Sequence, residues 1–260
     1  MFISTISESK RSTFQQCKLK YRYKYVDYIP EQDKTNTGAL HFGSYIHKIF
    51  EDGVNASTFN ELNEIAGNLK ENYSFQDSYI PKIEKCINNF LRFNASLEET
   101  VATELVYEVE LGKDIKQNGV IDRVIKGKDG GYLIIDYKTS KREKNKVDLY
   151  QDMQMRGYTY AIHKMYNVPY SDIVAAHYYP ITDTFVHVSY GVPQINAYLN
   201  TVRDEVWKIR KAKKIDLTPV QNDFCNWCAF KSICPEFTDP FTVGKRLEEI
   251  KQQKAEAKKL

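Results

Sequence analysis

The sequence predicts an α/β fold, a sheet flanked by helices, and three observations carry that prediction. Two short β-branched runs, 120–125 and 132–137, flank a polar turn containing Asp129-Gly130-Gly131, the pattern of an antiparallel hairpin. Further strand-length runs lie at 103–111, 173–179 and 184–190. Helical periodicity appears at 39–54, 61–96, 149–165 and 194–213. Strands interleaved with helices in 260 residues fit one domain over 1–240, with a helical insertion near 55–100 and a charged tail at 241–260.

In chain order, Ser7 is placed to cap a helix. Cys17 follows, and then KLKYRYKYVDY alternates basic and aromatic residues. Partial burial is the expected role of Tyr21, Tyr23 and Tyr25, with stacking on exposed bases as a second use. A polar loop at 35–38 leads into the helix over 39–54, whose inward stripe is Ile46, Ile49 and Phe50. His47 shares the adjacent face with Glu51; a lone helical histidine is more often structural than a ligand, so the helix by itself leaves its role undecided. Over 61–96 the stripe is Ile83, Ile87, Phe90 and Leu91, with Cys86 beside it as an inert core thiol.

The strand at 103–111 places Glu104, Glu108 and Glu110 on one alternating face, expected to be solvated; the alternative is that Glu104 adds an acid to a metal site. It feeds the hairpin. Pairing symmetrically about Asp129 sets Asp122 opposite Asp136, with Cβ atoms roughly 4.5–5.5 Å apart. Lys138 then shares their face, and Leu133, Ile135 and Tyr137 take the other. Two facing carboxylates repel, so the arrangement asks for a compensating cation. Either Lys138 supplies it as a surface salt bridge, or a hard divalent ion, Mg2+ or Mn2+, is held with open water positions.

Beyond the hairpin, KREKNK is a charged loop. On the helix over 149–165, Gln154 and Tyr158 lie one turn apart, placed for a phosphate or for ordinary polar packing, while His163 is expected at the surface. The helix over 194–213 turns Leu199, Val202, Val206 and Ile209 inward and ends in a basic run. The tail after Gly244 reads as an exposed helix former without a core stripe.

Cys225, Cys228 and Cys234 form C-x2-C-x5-C, too tight a thiol cluster for core packing. Cys86 is committed to a helix face, which leaves Cys17 as the fourth ligand. Four cysteines hold zinc or an iron-sulfur cluster; one distant cysteine with a C-terminal triplet favours the cluster, with zinc the secondary occupant. The net charge of +3 is only mildly basic, although Lys and Arg gather at 18–24, 141–146 and 208–214. No apolar run approaches the roughly 18 residues of a membrane span, and the first residues have no signal-peptide pattern. A cytoplasmic protein is expected.

In this order the pieces resemble the RecB-like branch of the PD-(D/E)xK nuclease superfamily, and within it the iron-sulfur members: the AddB nuclease domain and the CRISPR-associated RecB-like exonucleases. The matching residues are the serine-rich start with Cys17, GSYIH with His47, GVID with Asp122, IDYK with Asp136 and Lys138, Q-x3-Y with Gln154 and Tyr158, and the C-terminal cysteines. The resemblance implies a restriction-endonuclease-like mixed sheet. It also implies a catalytic Mg2+ or Mn2+ on His47, Asp122 and Asp136, with Lys138 positioning the attacking water and Gln154 and Tyr158 orienting lysine and DNA. Cys17, Cys225, Cys228 and Cys234 would hold a [4Fe-4S] cluster clamping the two ends of the domain. Ile121 stands where the superfamily has proline, and Asp136 where many relatives have glutamate; neither removes a ligand.

The expected activity is exonucleolytic hydrolysis of single-stranded DNA or DNA ends, in recombination, repair or phage DNA metabolism. Three alternatives stand beside it: an end-trimming nuclease working with a CRISPR-type integrase, a non-catalytic DNA-binding scaffold, and a zinc-ribbon protein with an incidental hairpin.

Overall fold

The computed structural model describes residues 3–33, 38–112 and 114–257. Its main elements are α1 (Glu8–Gln16), α2 (Gly38–Asp52), α3 (Phe59–Leu69), α4 (Ile80–Ala95), β1 (Glu99–Gly112), β2 (Ile115–Lys126), β3 (Tyr132–Tyr137), α5 (Lys146–Tyr150), α6 (Met153–Tyr166), β4 (Ile173–Tyr179), β5 (Thr184–Val188), α7 (Val192–Lys211) and α8 (Pro240–Ala257). The chain forms two compact units, Thr37–Asp204 and Met1–Asn36 with Glu205–Leu260.

In the first of these units, β1 to β5 lie side by side in sequence order. All neighbours are antiparallel except β3 and β4, which run parallel and so need the long crossover that contains α5 and α6. The sheet is therefore mixed. The predicted hairpin register holds: Arg123 pairs with Ile135 and Lys126 with Tyr132, a ladder centred on Asp129. Gly130 takes the left-handed φ of +87° that this turn requires.

One sheet face carries Ile125, Leu133, Ile135 and Tyr137, and it packs on Phe42, Ile46, Ile49 and Phe50 of α2 and on Ile87 and Phe90 of α4. The Phe50 and Phe90 rings stack at 4.0 Å, both fully buried, each burial stabilising by about 1.5–3 kcal/mol. The other face meets α6, where Tyr158 packs edge-on to Tyr107 and the Tyr160 hydroxyl donates to the Glu110 carbonyl at 2.6 Å.

Two helical expectations change. The stretch 61–96 is broken between α3 and α4 by short 3-10 turns, because Pro81 fits only the first turn of a new helix. The stretch 149–165 is broken at Gln151 and Asp152, where Asp152 accepts the Met155 N–H at 3.0 Å and caps α6. The polar loop at 35–38 lies mostly outside the described residues.

In the second unit, Ser7 caps α1 as expected. Tyr21 and Tyr23 are buried, the plainer of their two readings. A small core gathers Leu19, Tyr23, Ile29, Phe230, Ile233 and Ile250. Ile250 and Leu247 come from α8, so this segment does carry an apolar stripe, against the expectation of an exposed tail. Arg11 is buried between Glu8 and Glu205, at 2.7 and 3.1 Å. Among the described residues, no helix is long and apolar enough to cross a membrane.

Candidate active site

The stripe that seats α2 on the sheet also decides where His47 goes. Ile46 and Phe50 point inward, which leaves His47 at the rim, its ring edge-on to Tyr137 with centroids 5.9 Å apart. A methyl group on Gly43 would lie 3.1 Å from Thr139 Oγ1, so the missing side chain lets α2 approach the segment that follows Lys138. His47 Nδ1 lies 3.4 Å from Asp122 Oδ2, and that oxygen accepts the Tyr137 N–H at 2.7 Å.

The third group at this point is Glu104. One ligand atom each from His47, Glu104 and Asp122 fall within 4.8 Å of one another. Sequence alternation placed Glu104 on a solvated face with Glu108 and Glu110, and for those two it holds, since both are exposed. Glu104 departs from them: it is half-buried, and its backbone is left-handed, with φ of +47°, a costly conformation for a side chain with a Cβ. Its neighbours Thr103 and Leu105 pair with Arg123 and Ile121, so Glu104 stands opposite Asp122. Pairing β1 with β2 in the sequence would have revealed this; the φ angle is not readable there.

Asp136 is buried beside this group, and its charge acts on His47, Glu104 and Asp122. Lys138 Nζ lies 2.5 Å from Asp136 Oδ2, without the angles of a hydrogen bond. Lys138 also donates to Gln154 Oε1 at 3.3 Å, and Gln154 Nε2 donates to the Tyr158 hydroxyl at 2.9 Å. The helical pair therefore holds the lysine.

The electrostatics are those of a site crowded with acids. Burial first, and then the Asp136 charge, holds the Asp122 carboxyl well above the usual carboxylate range. Burial likewise raises Glu104, with Glu51 adding to it, and lowers His47, which keeps the imidazole neutral. Burial pulls Lys138 down, but Asp136 and Asp122 outweigh it and its pKa is raised, so it stays an ammonium ion. Neutral imidazole and the two carboxylates within reach, with the buried Asp136 carboxylate beside them, make a donor set suited to a hard divalent cation. The group opens onto a cleft of about 460 Å3 that also meets Leu40, Tyr73 and Thr139.

The second predicted centre lies in the other unit. Cys17, Cys225, Cys228 and Cys234 line one cavity, whereas Cys86 is fully buried in the α4 core, its thiol pushed up to about 12 by burial. Two of the sulfurs accept a backbone N–H: Cys17 from Lys20 at 3.5 Å and Cys225 from Asn222 at 3.4 Å. No three of these sulfurs lie within 4.8 Å of one another.

The sequence profile of the PD-(D/E)XK nuclease superfamily matches residues 5–235. An ATP-dependent helicase/deoxyribonuclease of Streptococcus agalactiae serotype Ia, one component of that enzyme, is 27% identical over 170 residues, 60% of this chain and 16% of that protein. The component of the same name from Streptococcus uberis is 24% identical over 151 residues, 53% of this chain and 14% of that protein. The chain thus matches about a sixth of the length of these relatives. The crystal structure of an exonuclease candidate from Eubacterium rectale superposes with a TM-score of 0.57 at 15% identity, covering 86% of this chain and 87% of that one.

Proposed function

The chain belongs to the PD-(D/E)XK nuclease superfamily, and from that premise we propose that it is a divalent-metal-dependent deoxyribonuclease acting on single-stranded DNA or DNA ends. The observation that carries the reading is the convergence of His47, Glu104 and Asp122, with Asp136 and Lys138 alongside. These three and Asp136 are the residues proposed to hold Mg2+ or Mn2+. When bound, such an ion lowers the pKa of a water and stabilises charge on the scissile phosphate.

The protein's own part is positioning. Lys138, cationic and held between Asp136 and Gln154, is suited to orient the attacking water and to face developing negative charge, rather than to act as a base. Tyr137 fixes Asp122 through its N–H, and Tyr158 fixes Gln154. Lys141 and Arg142 are exposed on the loop that follows Lys138 and Lys146 at the start of α5, positions from which to meet backbone phosphates. Relatives named as a helicase/deoxyribonuclease and an exonuclease candidate support the substrate class.

For the cysteines we propose a [4Fe-4S] cluster. A tetrahedral zinc site would draw its sulfurs to about 3.8 Å, from Zn–S bonds of about 2.3 Å. No three of the four sulfurs around their shared cavity approach one another that closely, and those of Cys17 and Cys225 accept a backbone N–H, the kind of bond that stabilises cluster thiolates.

The test is digestion of end-labelled single- and double-stranded DNA with Mg2+ or Mn2+, wild type beside Asp136→Ala. Progressive shortening from an end by wild type alone supports the reading. Equal digestion by the variant, or DNA retention without cleavage under any divalent ion, contradicts it.

A further inference from the structure

His177 lies on β4 directly beside Asp136 in the parallel ladder, so the two side chains leave the same sheet face. It is fully buried, and its Nε2 sits 3.7 Å from Asp136 Oδ2. His177 Nε2 is a buried polar atom without a hydrogen bond, and it faces Asp136 Oδ2, the oxygen that the Lys138 ammonium approaches from another side at 2.5 Å. Buried groups of this kind call for an explanation.

The far side of the imidazole favours one placement of the proton. His177 Nδ1 lies 3.3 Å from the Tyr179 hydroxyl, and that hydroxyl accepts the Lys144 N–H at 2.9 Å. With its acceptor side used by Lys144, the Tyr179 O–H is free to donate to Nδ1. Nδ1 is then the acceptor, and the single imidazole proton sits on Nε2, aimed at Asp136.

We propose that His177 is the positioning residue of the catalytic carboxylate: its Nε2–H fixes the rotamer of Asp136, and Tyr179 fixes the tautomer that makes this possible. A neutral donor orients a carboxylate without cancelling its charge, which leaves that charge available to a cation; outer-shell partners of metal ligands act in this way. The arrangement also ties the loop carrying Lys144 to Asp136 through two side chains, Tyr179 and His177. The inference rests on the nuclease reading only in taking Asp136 as a metal ligand.

The experiment measures Mn2+ binding by electron paramagnetic resonance, with circular dichroism as a check on folding, on wild type, His177→Leu, His177→Gln and Tyr179→Phe. DNA digestion is measured on the same samples against Mn2+ concentration. His177→Leu is expected to weaken Mn2+ binding on the order of 10-fold, the low end for outer-shell partners, and to move the half-saturating Mn2+ concentration for digestion by the same factor. His177→Gln keeps an N–H donor and should recover most of that loss. Tyr179→Phe keeps the ring packing, loses the tautomer lock, and should weaken binding in the same direction.

Folded His177→Leu that binds Mn2+ like wild type overturns the proposal, as does His177→Gln no better than His177→Leu. If His177→Leu does not fold, unchanged binding in Tyr179→Phe overturns it. Mn2+ binding that follows these variants in a protein that never cleaves DNA would refute the nuclease reading and leave His177's role standing.

Discussion

Replacing Asp122 by asparagine is expected to stabilise the metal-free protein while abolishing its response to metal. Asparagine preserves the volume and the carbonyl that accepts the Tyr137 N–H at 2.7 Å. It removes one of the crowded charges. Carboxylate oxygens of Glu104 and Asp122 fall within 4.8 Å, and at an effective dielectric of about 20 two full charges at that distance repel by about 3.5 kcal/mol. Lys138 offsets part of this, and a net gain of about 1–2 kcal/mol is the usual size when active-site charge is relieved. For a chain of this size that raises Tm by about 2–8 °C.

The pH dependence follows from the direction of the Asp122 shift. Its folded pKa is raised, so the folded state keeps the proton longer than the unfolded state does, and the associated stability is present below the unfolded value of about 3.9. That stability is lost as pH rises from there through the raised folded value, so the variant's advantage grows from about pH 4 toward neutrality. The assay is thermal unfolding by circular dichroism in EDTA and in Mg2+ across that range. A variant that melts below wild type in EDTA at neutral pH, or an equal Mg2+-induced rise in both proteins, would refute the electrostatic account of the site.

Lys138→Ala should lower the single-turnover rate by about 10²–10³-fold, as for removal of one preorganised charge-stabilising donor, with Mn2+ binding retained; loss of Mn2+ binding would make the lysine structural. Cys17→Ser should remove visible absorbance from anaerobically purified protein, and Cys86→Ser should leave it intact. Colour that survives Cys17→Ser contradicts the proposed fourth ligand. Phe90→Ala should cost about 3–5 kcal/mol in denaturant unfolding, because the ring stacks on Phe50 and sits fully buried under Tyr137; a loss below about 1 kcal/mol would show that this core does not support the sheet.

Much of this site was readable from the sequence because it depends on short-range periodicity. The period of two about Asp129 brought Asp122, Asp136 and Lys138 to one place, and i, i+4 spacing joined Gln154 to Tyr158. Elimination of Cys86 picked out Cys17, which lines the same cavity as the C-terminal triplet. What escaped depends on longer range or on a single dihedral angle. Glu104 was legible only as the alternative to a solvated face, because its left-handed angle inside a strand is not readable there, and His177 gains its role from a parallel neighbour across a crossover. The α8 stripe was visible at Val243, Leu247 and Ile250, but the density of charge around it masked it.

The most direct test of the central claim is anomalous scattering from a crystal of the protein soaked in Mn2+. The account predicts a peak at coordination distance from His47, Glu104 and Asp122, lost in Asp122→Asn. No peak there under conditions that support DNA cleavage, or a peak that persists in the variant, would contradict it.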